Sequence, residues 1–277
     1  QWSCPFRKVQ KVRIACYKLY DMKTQYGRAG FSTKFLWYKK GKNELVALLM
    51  GFLILLIISV FILGLSTYDM RFIIVILGVA PLIFYDILRR FQKLHKLSKR
   101  SIKGAKGEEE VGRILSKLPE TYVVFHDIKS PYGNIDHVVF DGLNNIVFLI
   151  ETKAYNGNVL FYSGGVPYIN GKPLRKDILG QIQYNAVWLK EKLIKELSSK
   201  NVTLIPVIIF TNARVETVKV VKGDLEVFIT NKNYLLKLLM EYSERYSKPD
   251  VETSHKIHST LLHLWKTECY NYKPKGA

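Results

Sequence analysis

The chain has 277 residues, of which 48% are apolar and 23% charged, and its 42 Lys and Arg against 23 Asp and Glu give a formal charge of +19. This balance excludes a disordered tail, a collagen-like fibre and a disulfide-stabilised miniprotein. The three cysteines, Cys4, Cys16 and Cys269, are too scattered for a disulfide framework or a zinc site, so we expect the soluble part to lie in a reducing compartment.

The positive charge is concentrated in two segments that flank apolar sequence. Residues 1–44 hold 11 basic and 2 acidic side chains, and residues 89–106 hold 8 basic and no acidic ones. Between them lie two apolar stretches, residues 45–65 and 72–88, of which the first contains no charge. A helix needs about 20 apolar residues to cross a bilayer. The sequence therefore predicts two membrane-spanning helices between two basic flanks.

Orientation follows from the basic flanks, because Lys and Arg favour the cytoplasmic side of a membrane. A hairpin with residues 66–71 outside places both basic segments and both termini in the cytoplasm of a multi-pass cell-membrane protein. Asp86 in the second stretch is tolerated if it lies at the interface beside Arg89 and Arg90. Residues 89–106 are predicted to be a juxtamembrane linker attracted to anionic lipid headgroups, with nucleic-acid binding as the alternative.

The rest of the chain has the pattern of one α/β domain, residues 107–242, followed by a helical extension, residues 243–277. A first helix is predicted over residues 108–118, ended by Pro119, and a long amphipathic helix over 177–197 with Asp177 as its N-cap. Strands are predicted at residues 122–128, 135–140, 146–152, 202–211 and 226–230, with a hairpin at 158–169 and a helix at 231–242.

Two carboxylates are predicted to meet on neighbouring strands. Asp136 lies on the second strand, and Glu151 and Lys153 point to one face at the end of the strongly apolar third strand. Two acidic side chains repel each other unless a cation lies between them, and an all-oxygen set favours Mg²⁺ or Mn²⁺. A lysine beside such a metal can orient a water for attack on a phosphodiester. The alternative is a solvated Glu-Lys pair at a strand end, contributing about 0 to 1 kcal/mol.

Four short motifs occur in this framework and share one order with a known family. They are Gly107-Glu108-x-x-Val111, Gly133-Asn134-Ile135-Asp136-His137-Val138-Val139, Ile150-Glu151-Thr152-Lys153 followed by Asn156-Gly157, and Gln181-x-x-x-Asn185-x-x-x-Leu189. With them, residues 104–197 resemble the NERD (nuclease-related) domain, a branch of the PD-(D/E)XK nuclease-like group. The resemblance implies a restriction-endonuclease-like fold, in which helices flank a mixed sheet.

The resemblance also implies roles for individual residues. Asp136 and Glu151 would be the metal ligands, Lys153 the catalytic lysine, Glu108 an acidic residue on the first helix, and Gln181 a polar residue facing the site. Glu109 is an alternative to Glu108, because one residue turns a helix position by about 100 degrees.

The implied activity is metal-dependent hydrolysis of nucleic acid, with DNA favoured over RNA. A catalytically inactive module that binds nucleic acid or a protein at the membrane is the alternative, and it is favoured by the near balance of 22 basic and 19 acidic side chains in residues 107–277. A transporter or channel is disfavoured, because two helices with one acidic residue provide no polar pathway.

The histidines of the soluble part are expected to be structural. His137 follows Asp136 and must face the other side of its strand, where a packed or surface position is favoured over a ligand role. His126 lies on the preceding strand and could approach the site. His255, His258 and His263 are predicted to lie on a solvated helix surface.

Overall fold

The computed structural model describes residues 24–65, 70–161, 166–197, 202–245 and 250–270. The chain divides into two compact units, one of Phe31–Ala105 and one that combines Lys106–Ala277 with the segment Gln1–Gly30. The first unit contains helix α1, Phe31–Leu65, and most of helix α2, Met70–Leu115, whose last turns belong to the second unit.

The first unit contains one candidate membrane-spanning helix. Within α1, the 21-residue stretch Gly41–Phe61 is long and apolar enough to cross a membrane, and no part of it is buried; it is the single such stretch in the described part of the chain. Residues 72–88 are helical within α2, but most of the predicted outside loop and residues 1–23 lie outside the described ranges. The two-helix hairpin therefore stays a prediction. The basic segment 89–106 is helical and runs without a break into the turn that carries Glu108.

The second unit is a mixed α/β domain, as predicted. Its strands are β1 (Gln25–Tyr26), β2 (Tyr122–Ser130), β3 (Gly133–Asp141), β4 (Ile146–Phe161), β5 (Pro167–Ile169), β6 (Lys172–Pro173), β7 (Thr203–Arg214), β8 (Val218–Lys222) and β9 (Leu225–Asn231). Its other helices are α3 (Ile178–Leu197), α4 (Leu235–Arg245) and α5 (Val251–Tyr270).

The described strands form one mixed sheet in the order β1-β2-β3-β4-β7-β9-β8, to which β5 and β6 are added along the end of β4. The β1/β2, β4/β7 and β7/β9 pairs are parallel, and β2/β3, β3/β4 and β8/β9 are antiparallel. The long β4 is thus antiparallel to one neighbour and parallel to the other, and it lies in the middle of the sheet.

Helices cover both faces of the sheet, because the strands alternate apolar side chains between two cores. One core is built from residues such as Phe125, Val138, Leu149 and Phe210, with α3 and α5 packed against it. The opposite core contains Val139, Phe148, Ile150 and Val207 and is covered by the end of α2 and by α4. The prediction of a mixed sheet flanked by helices is therefore confirmed.

The structure departs from the predicted elements in one helix, in the length of one strand and in several short strands. The predicted first helix of the domain is the end of the much longer α2, and the third strand does not end at Thr152 but continues to Phe161. It bends at a β-bulge between Lys153 and Asn156, and Gly157 follows with a φ of 105°. A side chain at Gly157 would overlap the amide of Asn170, so glycine is required there. Strands β1, β6 and β8 were not predicted.

Candidate active site

Asp136 and Glu151 lie next to each other on antiparallel strands. In the β3/β4 ladder His137 pairs with Ile150, and the two carboxylates are the next residues beyond that pair. The Asp136 Oδ2 atom accepts a hydrogen bond of 2.6 Å from the backbone N–H of Thr152, which fixes the aspartate against the strand that carries Glu151. The structure therefore brings the two predicted ligands together at one point of the sheet.

Glu151, Lys153 and Gln181 form a closed group of hydrogen bonds. Lys153 Nζ donates to Oε1 of Glu151, and Gln181 Nε2 donates to the same oxygen at 2.8 Å. Lys153 Nζ also lies 3.3 Å from Oε1 of Gln181, to which it donates. Glu151 and Lys153 are 3% and 8% exposed, so this pair is buried and differs from the solvated strand-end pair considered above.

Gln181 reaches the group because it lies in the first turn of α3. The helix begins after Asp177, whose Oδ1 accepts a hydrogen bond of 2.8 Å from the backbone N–H of Gly180, as an N-cap does. The predicted cap is thus confirmed. This side-chain cap fixes the start of the helix, and with it the position of the Gln181 amide beside Glu151.

Glu108 approaches the site from the opposite layer, at the end of α2. It is buried, and Gly107 before it allows close packing, because a Cβ there would lie 3.2 Å from both Ala154 Cβ and Thr211 Oγ1. The negative charge of Glu108 raises the pKa of Asp136, whereas Glu109 is not among the groups that do so. Of the two predicted alternatives, Glu108 is the one whose charge acts on the site.

The ionisation of the group reflects its burial and its like charges. Loss of hydration raises the pKa of Asp136 well above its usual range, and the charges of Glu151 and Glu108 raise it further. Burial acts to lower the pKa of Lys153, but Glu151 and Asp136 outweigh it, so the net shift is upward. The carboxylates thus favour the charged form of Lys153. Asp136 is the acid whose charged form is disfavoured, by burial and by its acidic neighbours.

Lys176 belongs to the electrostatic surroundings of the site and was missed by the sequence reasoning. It lies in the turn before α3, where burial lowers its pKa and the charge of Lys153 lowers it further, while Glu151 and Asp136 act in the opposite direction. The side chain is still exposed. A surface lysine carries no sequence signal of its own, and only the approach of this turn to β4 makes it part of the site.

The histidines lie away from the carboxylates. His137 is fully buried on the other face of β3, which confirms the packed position, and its Nδ1 lies 2.8 Å from Nδ1 of His126. His126 therefore pairs with His137 and does not join the site. The solvated surface predicted for the C-terminal helix is wrong for His258, which is buried beside the rings of Tyr26 and Phe125 because α5 packs against β2.

The oxygen atoms of the site include one that is free to bind a hard divalent metal. Glu151 Oε2 is a buried oxygen with no hydrogen-bond partner among the described residues, although its partner oxygen accepts two hydrogen bonds. No group of three or more His, Cys, Asp or Glu side chains in the described ranges is arranged to hold a metal. Mg²⁺ commonly takes one or two carboxylates and completes its shell with water and substrate phosphate. Asp136 and Glu151 fit that mode of binding.

One known protein family matches part of this domain. Residues 103–211 match the family of the nuclease-related domain, NERD. No curated protein and no solved structure was found to match the chain. The matched range begins in the helix of Glu108, includes β2, β3, β4 and α3, and ends in β7, so it contains every predicted site residue. Residues 103–211 are therefore similar to the nuclease-related domain.

Proposed function

We propose that the nuclease-related domain hydrolyses phosphodiester bonds of nucleic acid, with DNA favoured over RNA, and that it requires Mg²⁺ or Mn²⁺. The observation that carries this proposal is the buried Oε2 atom of Glu151, which has no hydrogen-bond partner in the described part of the chain and lies beside a second carboxylate of raised pKa. A buried acceptor without a donor costs about 1–3 kcal/mol, and more if it is charged. A cation between Asp136 and Glu151 removes both that cost and the repulsion between the two acids.

Each polar group of the site would have its own role in such a reaction. A metal held by Asp136 and Glu151 would stabilise the charge that builds on the phosphate during attack by water. The backbone N–H of Thr152 orients Asp136, and the Gln181 amide orients Glu151 and Lys153 together. Lys153, kept charged by its neighbours, offers its remaining N–H group to the attacking water or to a phosphate oxygen. Glu108 adds negative charge on the side of α2, which strengthens the attraction for a cation.

We further propose that the domain is anchored to the cell membrane and faces the cytoplasm. The stretch Gly41–Phe61 supports a first span, and the predicted second span at residues 72–88 would return the chain to the basic side. The basic helical segment 89–106 would then lie where it can contact anionic headgroups. Reporter fusions after residues 68 and 106 test this topology: opposite sides are expected, and an external position for residue 106 would contradict it.

A second candidate is a module that keeps this fold for binding alone. Its support is the near neutrality of residues 107–277 and the ion pair between Lys153 and Glu151, which already occupies one carboxylate oxygen. The two candidates differ in one assay. The full chain in detergent is incubated with labelled DNA and RNA in Mg²⁺, Mn²⁺ or EDTA. Metal-dependent cleavage supports the enzyme, whereas binding without cleavage under all three conditions supports the module.

A further inference from the structure

Two tyrosines form an exposed stack on the second unit. Tyr132 lies in the turn between β2 and β3, and Tyr184 lies on α3. Their ring centroids are 5.3 Å apart and the rings are inclined by 26°. The two residues are 55% and 58% exposed, so the stack buries little surface and each ring keeps an open face. An aromatic pair in this state contributes little to a core but offers a surface on which a third ring can stack.

The stack is held in place by the strands and helix that form the candidate active site. The Ser130 hydroxyl donates to Oδ1 of Asn185 at 2.5 Å, and it accepts a hydrogen bond of 3.1 Å from the backbone N–H of Tyr132. Asn185 is fully buried on α3, so the turn is fastened to the helix next to Tyr184. Asn185 belongs to the fourth sequence motif and has no part in the proposed reaction, and this hydrogen bond gives it a structural role.

The stack lies close to the carboxylates along both elements. Tyr184 follows Gln181 by three residues, which places the two on one face of α3, about 4.5 Å apart along the helix axis. Tyr132 precedes Asp136 by four residues, or about 13 Å of extended chain. A strand in a duplex advances about 3.4 Å per nucleotide along the axis, and an extended single strand advances further, so these distances correspond to at most about four nucleotides. A strand whose phosphate lies at the carboxylates therefore has bases within reach of the rings.

We infer that Tyr132 and Tyr184 form a stacking platform for an unpaired base of the strand bound at the carboxylates, so that the domain prefers single-stranded to duplex nucleic acid. The inference rests on the proposed function in taking nucleic acid as the ligand of the site, but it does not require hydrolysis. Bases in a duplex are stacked on their neighbours and cannot offer a face to the tyrosines, whereas bases of a single strand can. Stacking of this kind needs no particular base, because every base has a π face.

The test measures binding without metal, so that no hydrolysis occurs. The full chain in detergent is titrated into a fluorescein-labelled 12-nucleotide oligodeoxythymidylate and, separately, a 12-base-pair duplex, at about 50 mM salt to retain phosphate contacts. Fluorescence anisotropy gives the dissociation constants for wild type, Tyr132→Ala, Tyr184→Ala and Tyr184→Phe. The matched control is Tyr234→Ala, which removes an equally exposed tyrosine at the start of α4.

The inference predicts that each alanine variant at the stack binds the single strand roughly five- to 150-fold more weakly, the range for base-on-aromatic stacking. Tyr184→Phe should stay within about twofold of wild type, because it keeps the ring, and Tyr234→Ala should be unchanged. Duplex binding should be weaker than single-strand binding and insensitive to all four substitutions. A loss for Tyr184→Phe as large as for Tyr184→Ala would point to the hydroxyl and overturn stacking.

The remaining outcomes separate this inference from the proposed function. If the stack variants lose single-strand binding but wild type cleaves nothing in Mg²⁺ or Mn²⁺, the platform stands and hydrolysis fails. If wild type cleaves but the alanine variants bind the single strand like wild type, the platform is wrong and hydrolysis stands. If wild type binds neither probe, or if the duplex binds as tightly and loses as much in the variants, the platform is wrong. Melting temperatures of the variants within a few degrees of wild type show that the fold is intact.

Discussion

Asp136 and His137 are neighbours in the chain but lie on opposite faces of the sheet, and burial acts on them in opposite ways. It raises the pKa of Asp136 and lowers the pKa of His137, because in each case it disfavours the charged form. The aspartate lies in a group that also contains Lys153 and a Glu151 oxygen with no hydrogen-bond partner among the described residues. The histidine lies in a packed core against His126. One face of β3 thus contributes an acid to a charged group, and the other face contributes an uncharged imidazole to a packed core.

The largest effect is expected from the two carboxylates on the site face. Asp136→Asn and Glu151→Gln should each abolish metal-dependent cleavage of labelled DNA, because each removes a ligand charge. The matched control is Glu226→Gln, which removes an exposed glutamate paired with Lys219 on the same sheet. Cleavage that persists in both site variants would show that the reaction does not use this group.

These two variants should differ in stability without metal. Asp136→Asn removes an acid whose pKa is raised in the folded state, so thermal melting at neutral pH should occur at the same or a higher temperature. Glu151→Gln leaves Lys153 buried without its counter-charge, a change that typically costs about 3–5 kcal/mol. Equal melting temperatures for the two variants would contradict the conclusion that Glu151, and not Asp136, is the counter-charge that Lys153 needs.

Lys153→Ala should lower turnover by about 10² or more while metal binding persists, because the ligands remain and an electrostatic group is lost. The measurement is the cleavage rate at saturating Mg²⁺. The control is Lys219→Ala, which removes an exposed lysine from an ion pair of the same sheet. An unchanged rate for Lys153→Ala would place the lysine outside the reaction and leave it a structural counter-charge.

A buried histidine of α5, His258, predicts a loss of stability in acid. Burial, and then the charge of His255, lowers the pKa of His258 to about 4 from an ordinary value of 6.5. The unfolded chain therefore binds a proton first, and stability should fall as the pH falls from about 6.5 to 4, by roughly 3 kcal/mol for this residue. His258→Phe, which keeps a ring beside Tyr26 and Phe125, should flatten that slope in urea unfolding, and His263→Phe at an exposed position should not.

Asp136 should have the opposite dependence on pH. Its raised pKa means that the folded state gains a proton first as the pH falls, which offsets part of the loss caused by the histidines. In Asp136→Asn the acid-side slope should therefore be steeper than in wild type. A slope that is unchanged would show that the pKa of Asp136 is not raised.

The smallest effect is expected at the edge of the sheet. Tyr26 of β1 stacks on Phe125 with ring centroids 4.9 Å apart and also contacts Trp265. Tyr26→Ala should lower the free energy of unfolding by roughly 1–3 kcal/mol, since an aromatic contact and its partly buried area are lost. Tyr234→Ala, at an exposed position, should change it by less than about 0.5 kcal/mol. Removal of residues 1–100 is therefore expected to destabilise the domain, because it removes β1.

The sequence predicted the parts of the domain that depend on local pattern. The alternation in β3 and β4 placed Asp136, Glu151 and Lys153 on neighbouring strands, whereas the position of Gln181 at the site was implied by the resemblance to the nuclease-related domain. The third strand was predicted to end at Thr152, whereas β4 continues past it through a bulge and through Gly157, whose φ is positive. Strand β8 could have been predicted from its alternating Val218-Lys219-Val220 before Gly223. Strand β1 has only two residues, which is too short for an alternating pattern.

The parts that could not be predicted depend on tertiary placement. Lys176 and the Tyr132–Tyr184 stack come together with the site only because the β2/β3 turn and the start of α3 approach each other. The same holds for His258, whose helical spacing agrees with an exposed face but which β2 covers in the folded domain. Periodicity predicts which residues share one face of a helix or strand. Which other element covers that face depends on the tertiary structure of the whole domain.

The most direct test of the central claim is the melting temperature of the full chain in detergent as Mg²⁺ or Mn²⁺ is added. If Asp136 and Glu151 share a metal, the metal should stabilise wild type by about 2.7 kcal/mol at a hundredfold excess over its dissociation constant. Neither Asp136→Asn nor Glu151→Gln should show this response, whereas Lys153→Ala and Glu226→Gln should retain it. A wild-type melting temperature that does not change with either metal, or a shift that persists in both carboxylate variants, would contradict the account.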